Sequence, residues 1–195
     1  MVIIRRKVMD MQREHFLKIF AKGLGYAFFG NILSGIMVFS IAPIIKIWLL
    51  TVVALLFTLF IYGSLLFTAG YRDGQRENSL IKNHRVQSIP KYRWIVFGLI
   101  IGAVMAIPGF IILAAKLGSF AVSGEFMFAF RFINGAVTPL LYASEMQTAA
   151  VADYPLWLCL AFVSVYLIAS PLLAHIGYKF GCDDKKRTDF MYEEE

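Results

Sequence analysis

Acidic residues are missing where they would matter most in a membrane. Four apolar stretches, at about 24–45, 47–69, 94–115 and 156–177, contain no Asp or Glu. No carboxylate is therefore available at membrane depth to relay protons or neutralise a cation, which argues against a cation-coupled pump and an intramembrane enzyme. Cysteine is scarce as well: Cys159 falls inside an apolar run and Cys182 in a polar tail, a spacing that fits neither a disulfide framework nor a metal site. The three histidines, His15, His84 and His175, are scattered. There is no phosphate-cradling or dinucleotide glycine pattern, no H-E-x-x-H and no G-x-S-x-G. Catalytic, cofactor and metal sites are accordingly not expected. The basic segments lack interleaved aromatics, so they suit anionic lipid better than nucleic acid.

What is present is apolar length. Mean hydropathy is +0.68, with 59% hydrophobic and 16% charged residues in 195, which is a poor composition for a soluble domain. The four stretches each approach the roughly 20 residues that span a hydrocarbon core. About 22 charged and mixed residues precede the first of them, too many for a signal-peptide leader, so it reads as an uncleaved span. Residues 1–23 place Ile4, Val8, Met11, His15 and Ile19 on one helical face, with Arg5, Arg6, Lys7, Arg13, Lys18 and Lys22 mostly off it. That pattern suits an amphipathic helix on a charged leaflet.

Within the spans, small and polar residues mark contacts. Gly30 and Ser34 on the first, and Gly98, Gly102 and Ala106 on the third, recur every four residues and permit close helix approach. Asn31 at membrane depth should face protein or water, as interhelical glue or as part of a polar site with Arg131 and Asn134. Only a short turn around Lys46 separates the first two spans, so they should form an antiparallel hairpin. Residues 70–93 form a polar loop ended by Pro90 and an interface anchor, Tyr92, Arg93 and Trp94. The outer segment, 116–155, contains an interrupted aromatic stretch at 126–143. It is expected to lie in the interface or to dip partway into the membrane.

One motif occurs twice. Leu65-Leu66-Phe67-Thr68-Ala69-Gly70-Tyr71-Arg72-Asp73-Gly74 and Leu172-Leu173-Ala174-His175-Ile176-Gly177-Tyr178-Lys179-Phe180-Gly181 share the pattern L-L-x-x-x-G-Y-[R/K]-x-G, each where an apolar run turns polar. The expectation is a membrane exit. Gly70 and Gly177 would be left-handed C-caps, Tyr71 and Tyr178 would sit at headgroup level, and Arg72 and Lys179 would reach phosphates. The six residues also make a candidate cytoplasmic interface. Sixteen of the nineteen Lys and Arg fall in 1–23, 70–93 and 178–195. The positive-inside rule then puts both termini in the cytoplasm. The expected fold is all-α: one integral membrane domain over 1–195, with four transmembrane helices as two antiparallel hairpins. An N-terminal amphipathic helix and an outer interfacial or re-entrant helix complete it.

The run Ala69-Gly70-Tyr71-Arg72-Asp73-Gly74-Gln75-Arg76-Glu77-Asn78 after a second span, with Gly177-Tyr178-Lys179 near the C-terminus, resembles small four-span membrane proteins of Gram-positive bacteria. The resemblance implies the layout and a cell-membrane location. It implies no activity and no site residues. The function expected is a non-enzymatic subunit or scaffold of a bacterial membrane assembly, contacting anionic lipid at the cytoplasmic face and other membrane chains or its own copies. The alternative is a small carrier or lipid-handling protein with a site between the hairpins.

Overall fold

A computed structural model describes residues 2–42, 48–83, 92–118, 120–144, 146 and 150–183; the side chains of 2–15, 48 and 143 are outside the description. Pro43, the Lys46 turn, His84, Pro90, the His15 side chain and the tail beyond Asp183 are thus not among the described parts. The described residues form helices and no strand: α1 (Val2–Ile41), α2 (Trp48–Lys82), α3 (Arg93–Lys116), α4 (Gly124–Ile133), α5 (Pro139–Ala143) and α6 (Leu156–Cys182), with a 3-10 turn at Val151–Asp153. Four of them are long and apolar enough to cross a membrane, over Phe16–Ile41, Leu49–Lys82, Arg93–Lys116 and Leu156–Cys182. The chain is a multi-pass membrane protein. In hydrocarbon a helix satisfies its own backbone polar groups, which is why the apolar runs fold this way.

Three helices are longer than the sequence pattern suggests. The N-terminal segment continues into the first span without a break, and α2 runs on through the first half of the polar segment. The expectation that Gly70 and Gly177 end their helices in a left-handed conformation is overturned. Helix α2 continues to Lys82 and α6 to Cys182, and among the described residues the one glycine with positive φ is Gly118, at 85°. The reason is packing. A Cβ on Gly70 would run into the Ala174 carbonyl, and one on Gly177 would run into the Phe67 carbonyl. The same holds one turn on, where Gly74 meets the Tyr178 carbonyl and the Cys182 amide, and Gly181 meets the Tyr71 carbonyl and the Gln75 amide. Each partner in one helix is the counterpart of the partner in the other. The two copies of the motif therefore interlock as G-x-x-x-G faces about a local pseudo-two-fold axis, and α2 and α6 run parallel.

The remaining pairs use the small residues singled out above. Gly30 of α1 lies against Tyr62 and Leu65 of α2, and Ser34 Oγ donates to the Thr58 carbonyl at 3.1 Å. On α3, Gly98 meets the backbone of Ser170 and Pro171, Gly102 the Tyr166 carbonyl, and Gly109 Phe162. In both pairs residue numbers rise on one helix as they fall on the other. Tyr62, Tyr166, Phe130, Phe162, Ile101 and Leu158 build the buried centre.

The outer segment folds back on itself. Ser123 caps α4 by accepting from the Phe126 amide at 3.2 Å. Residues 134–138 turn the chain, and Pro139 starts α5, where its missing N–H leaves no donor unpaired. Every residue from Asn134 to Pro139 is buried.

Candidate functional site

Polar groups gather at two depths. The deeper set centres on Asn31, which is fully buried. Its Oδ1 accepts from the Tyr166 hydroxyl at 2.6 Å and the Ala136 amide at 3.2 Å. Its Nδ2 donates to the Ala27 carbonyl at 3.2 Å and approaches Met105 Sδ at 3.6 Å. Thr58 Oγ1 lies 3.0 Å from the Ala136 carbonyl, so the turn is held from both α1 and α2. The Tyr62 hydroxyl pairs with Ser170 Oγ at 2.7 Å, and its ring meets that of Tyr166 edge-on. These groups are neutral and engage one another. Their arrangement positions a turn and two helices.

Of the three residues expected to share a polar site, two come together and one does not. Asn31 holds the turn that begins at Asn134, and a Cβ on Gly135 would strike the backbone of Asn31 and Gly35. Asn134 is buried, closes α4 by donating its amide to the Phe130 carbonyl at 2.8 Å, and leaves its Nδ2 without a hydrogen-bond partner. Arg131 instead lines an outer cavity of about 630 Å³ with Met127, Phe128, Val122 and residues 150–152. Its carbonyl accepts from Thr138 Oγ1 at 2.8 Å, and its Nε is buried.

The second set lies at the polar ends of α2, α3 and α6. Arg93 pairs with both Asp73 and Glu77. Its guanidinium stands 5.7 Å from the Tyr178 ring centroid and 6.0 Å from that of Phe97. Trp94 Nε1 donates to Asp73 Oδ2 at 2.8 Å, and the Tyr178 hydroxyl donates to Glu77 Oε2 at 2.5 Å. Tyr178 is thus buried against charge inside the bundle rather than presented as an exposed ring. Tyr71, its counterpart, stays partly exposed, stacks on Phe67 and accepts from Gln75 Nε2 at 3.0 Å. Arg72 Nη1 donates to the Tyr26 hydroxyl at 2.8 Å, while Lys179 is exposed.

Sequence reasoning did not join Asp73, Glu77, Arg93 and Trp94 into one network. The signal was there: two carboxylates four apart in a mostly basic segment, followed by Arg-Trp at the entry of the next helix. No group of His, Cys, Asp and Glu that could hold a metal occurs among the described residues. Comparison with protein-family models, curated proteins and solved structures finds no match.

Proposed function

We propose that the protein is a non-enzymatic component of a bacterial membrane assembly, a subunit or scaffold of the cell membrane with both termini in the cytoplasm. The observation that supports this reading most is the closed interior. Asn31, Thr58 and Tyr166 engage one another or the 134–138 turn, Tyr62 pairs with Ser170, and α2 and α6 meet backbone to backbone through four glycines. Such a bundle is a rigid body suited to presenting its outer faces. In this reading α1–α2 and α3–α6 are two antiparallel hairpins set side by side, and α4–α5 is a re-entrant unit of the outer leaflet.

The partners proposed are anionic lipid at the cytoplasmic face and further membrane chains or copies of this one, with no role for nucleic acid. Extraction of the tagged full-length protein in mild detergent, followed by native mass spectrometry, should return a species heavier than one chain. A clean monomer with no accompanying protein overturns the reading. The cavity beside Arg131 favours a second reading, a carrier or lipid-handling protein. Replacing Arg131 with Gln should then lower the lipid that co-purifies, and unchanged lipid content removes that alternative.

A further inference from the structure

Between the polar ends of α1 and α2 lies a cavity of about 420 Å³, lined by Lys18, Lys22, Arg72, Arg76, Asp73 and Trp94, with Ile19, Gly23 and Ala69 as its apolar part. We propose that it is a discrete binding site for a phosphate ester, the headgroup of an anionic phospholipid, distinct from the diffuse attraction of a basic surface. This deepens the lipid contact proposed above and rests on that reading only for the leaflet concerned.

The chemistry of the lining carries the inference. Lys18 and Lys22 are four apart on α1, and Arg72 and Arg76 are four apart on α2, so each pair projects from one helix face toward the same space. Among the described residues the wall holds one carboxylate, and it is engaged, since Asp73 Oδ2 takes Arg93 and Trp94 Nε1. Glu77, the other acid of this stretch, is held by Arg93 and the Tyr178 hydroxyl. Arg72 is steadied by the neutral Tyr26 hydroxyl, and Lys22 sits 6.0 Å from the same ring, so Tyr26 orients two cations without discharging either. Guanidinium and ammonium groups converging on one space make a phosphate site. The apolar part of the wall matches the glycerol end of a lipid better than a fully hydrated ion.

The test uses the full-length protein in nanodiscs of phosphatidylcholine with a minor fraction of phosphatidylglycerol, with retained lipid read by native mass spectrometry. The unaltered chain should retain phosphatidylglycerol in preference to phosphatidylcholine. Lys22→Gln and Arg72→Gln should each lower that retention about fivefold, the loss of one near-surface cation. Arg72→Lys should keep much of it, and Lys179→Gln, at the same end of the bundle but outside the cavity, should lower it far less than Arg72→Gln does. Inorganic phosphate added to discs of phosphatidylcholine alone forms the second arm. Phosphate binding that depends equally on Lys22 and Arg72 supports the site with a soluble phosphate as occupant. Absence of any preference for the anionic lipid, together with no phosphate binding, overturns the proposal. So does a loss in Lys179→Gln as large as in Arg72→Gln, because the effect is then that of the surface as a whole. Thermal melts of each variant separate lost binding from lost fold, and none of these outcomes bears on whether other chains co-purify.

Discussion

Gly70 and Gly177 carry the same side chain, none, for a reason different from the one their surroundings suggest. Glycine before Tyr and a cation at the end of an apolar run reads as a cap, yet each residue sits inside a helix where another backbone touches it. The two explanations separate on one substitution. Asn is the other residue that adopts the left-handed conformation with ease, so Gly70→Asn would be nearly neutral at a cap. At a helix crossing it should cost as much as Gly70→Val, about 1–3 kcal/mol from forced separation of the helices. Gly25, whose Cβ would meet nothing within 4 Å, is the control and should accept Val with little change. The readout is the melting midpoint followed by detergent size-exclusion chromatography, and a tolerated Gly70→Asn would restore the cap. The tyrosines should differ between copies. Tyr178→Phe removes the hydrogen bond to Glu77 at a buried ring and should cost about 1–2 kcal/mol, whereas Tyr71→Phe loses an exposed contact with Gln75 and should cost little. Arg93→Ala leaves Asp73 and Glu77 without their cation in a mostly buried place and should be the most damaging of these changes, at about 3 kcal/mol or more.

At the scale of elements, the α4–turn–α5 unit is held by contacts that no local pattern announces. Asn31 lies ten residues before the end of α1, which at 1.5 Å per residue puts it about 15 Å down the helix from that end. The ten residues of α4 have about the same length. A turn bonded to Asn31 and Thr58 therefore sits deep in the bundle, with its polar backbone satisfied by protein rather than lipid. Asn31→Ala would leave the Tyr166 hydroxyl and the Ala136 amide unpaired and buried, costing about 2 kcal/mol or more. Hydrogen exchange should show amides 134–138 protected in the unaltered chain and faster in this variant; equal protection in both would mean that Asn31 does not hold the turn. The four apolar runs and their small-residue faces were legible because period and composition are local properties. The interruption at Asn134, Gly135 and Pro139 was visible too, but its depth depends on Asn31, Gly35 and Thr58, which are far away in the chain. The charge network was hidden for the same reason: Arg93 and Tyr178 meet only once three helices are assembled.

For the whole molecule, the repeated motif becomes a statement about symmetry. When Gly70 faces the Ala174 carbonyl and Gly177 faces its counterpart, Phe67, the second and last spans are related by an axis along the helices. Both must then leave the membrane on the same side. Their partners α1 and α3 each start from that side, and α4–α5 enters and leaves the bundle without crossing to it. This arrangement predicts which face each end of the bundle occupies. Leu117, 70% exposed just beyond α3, lies at the opposite end from Lys179, exposed near the end of α6. In a chain with Cys182 replaced by Ser, Cys159 is buried and should resist a membrane-impermeant maleimide, which makes it an internal blank. Leu117→Cys should react on intact cells, and Lys179→Cys only after the membrane is opened. A reversed pattern would mean that the excess of Lys and Arg faces outward, against the positive-inside rule. Reaction of both on intact cells would mean that the α4–α5 unit crosses the bilayer, and the symmetry argument would lose its common exit face.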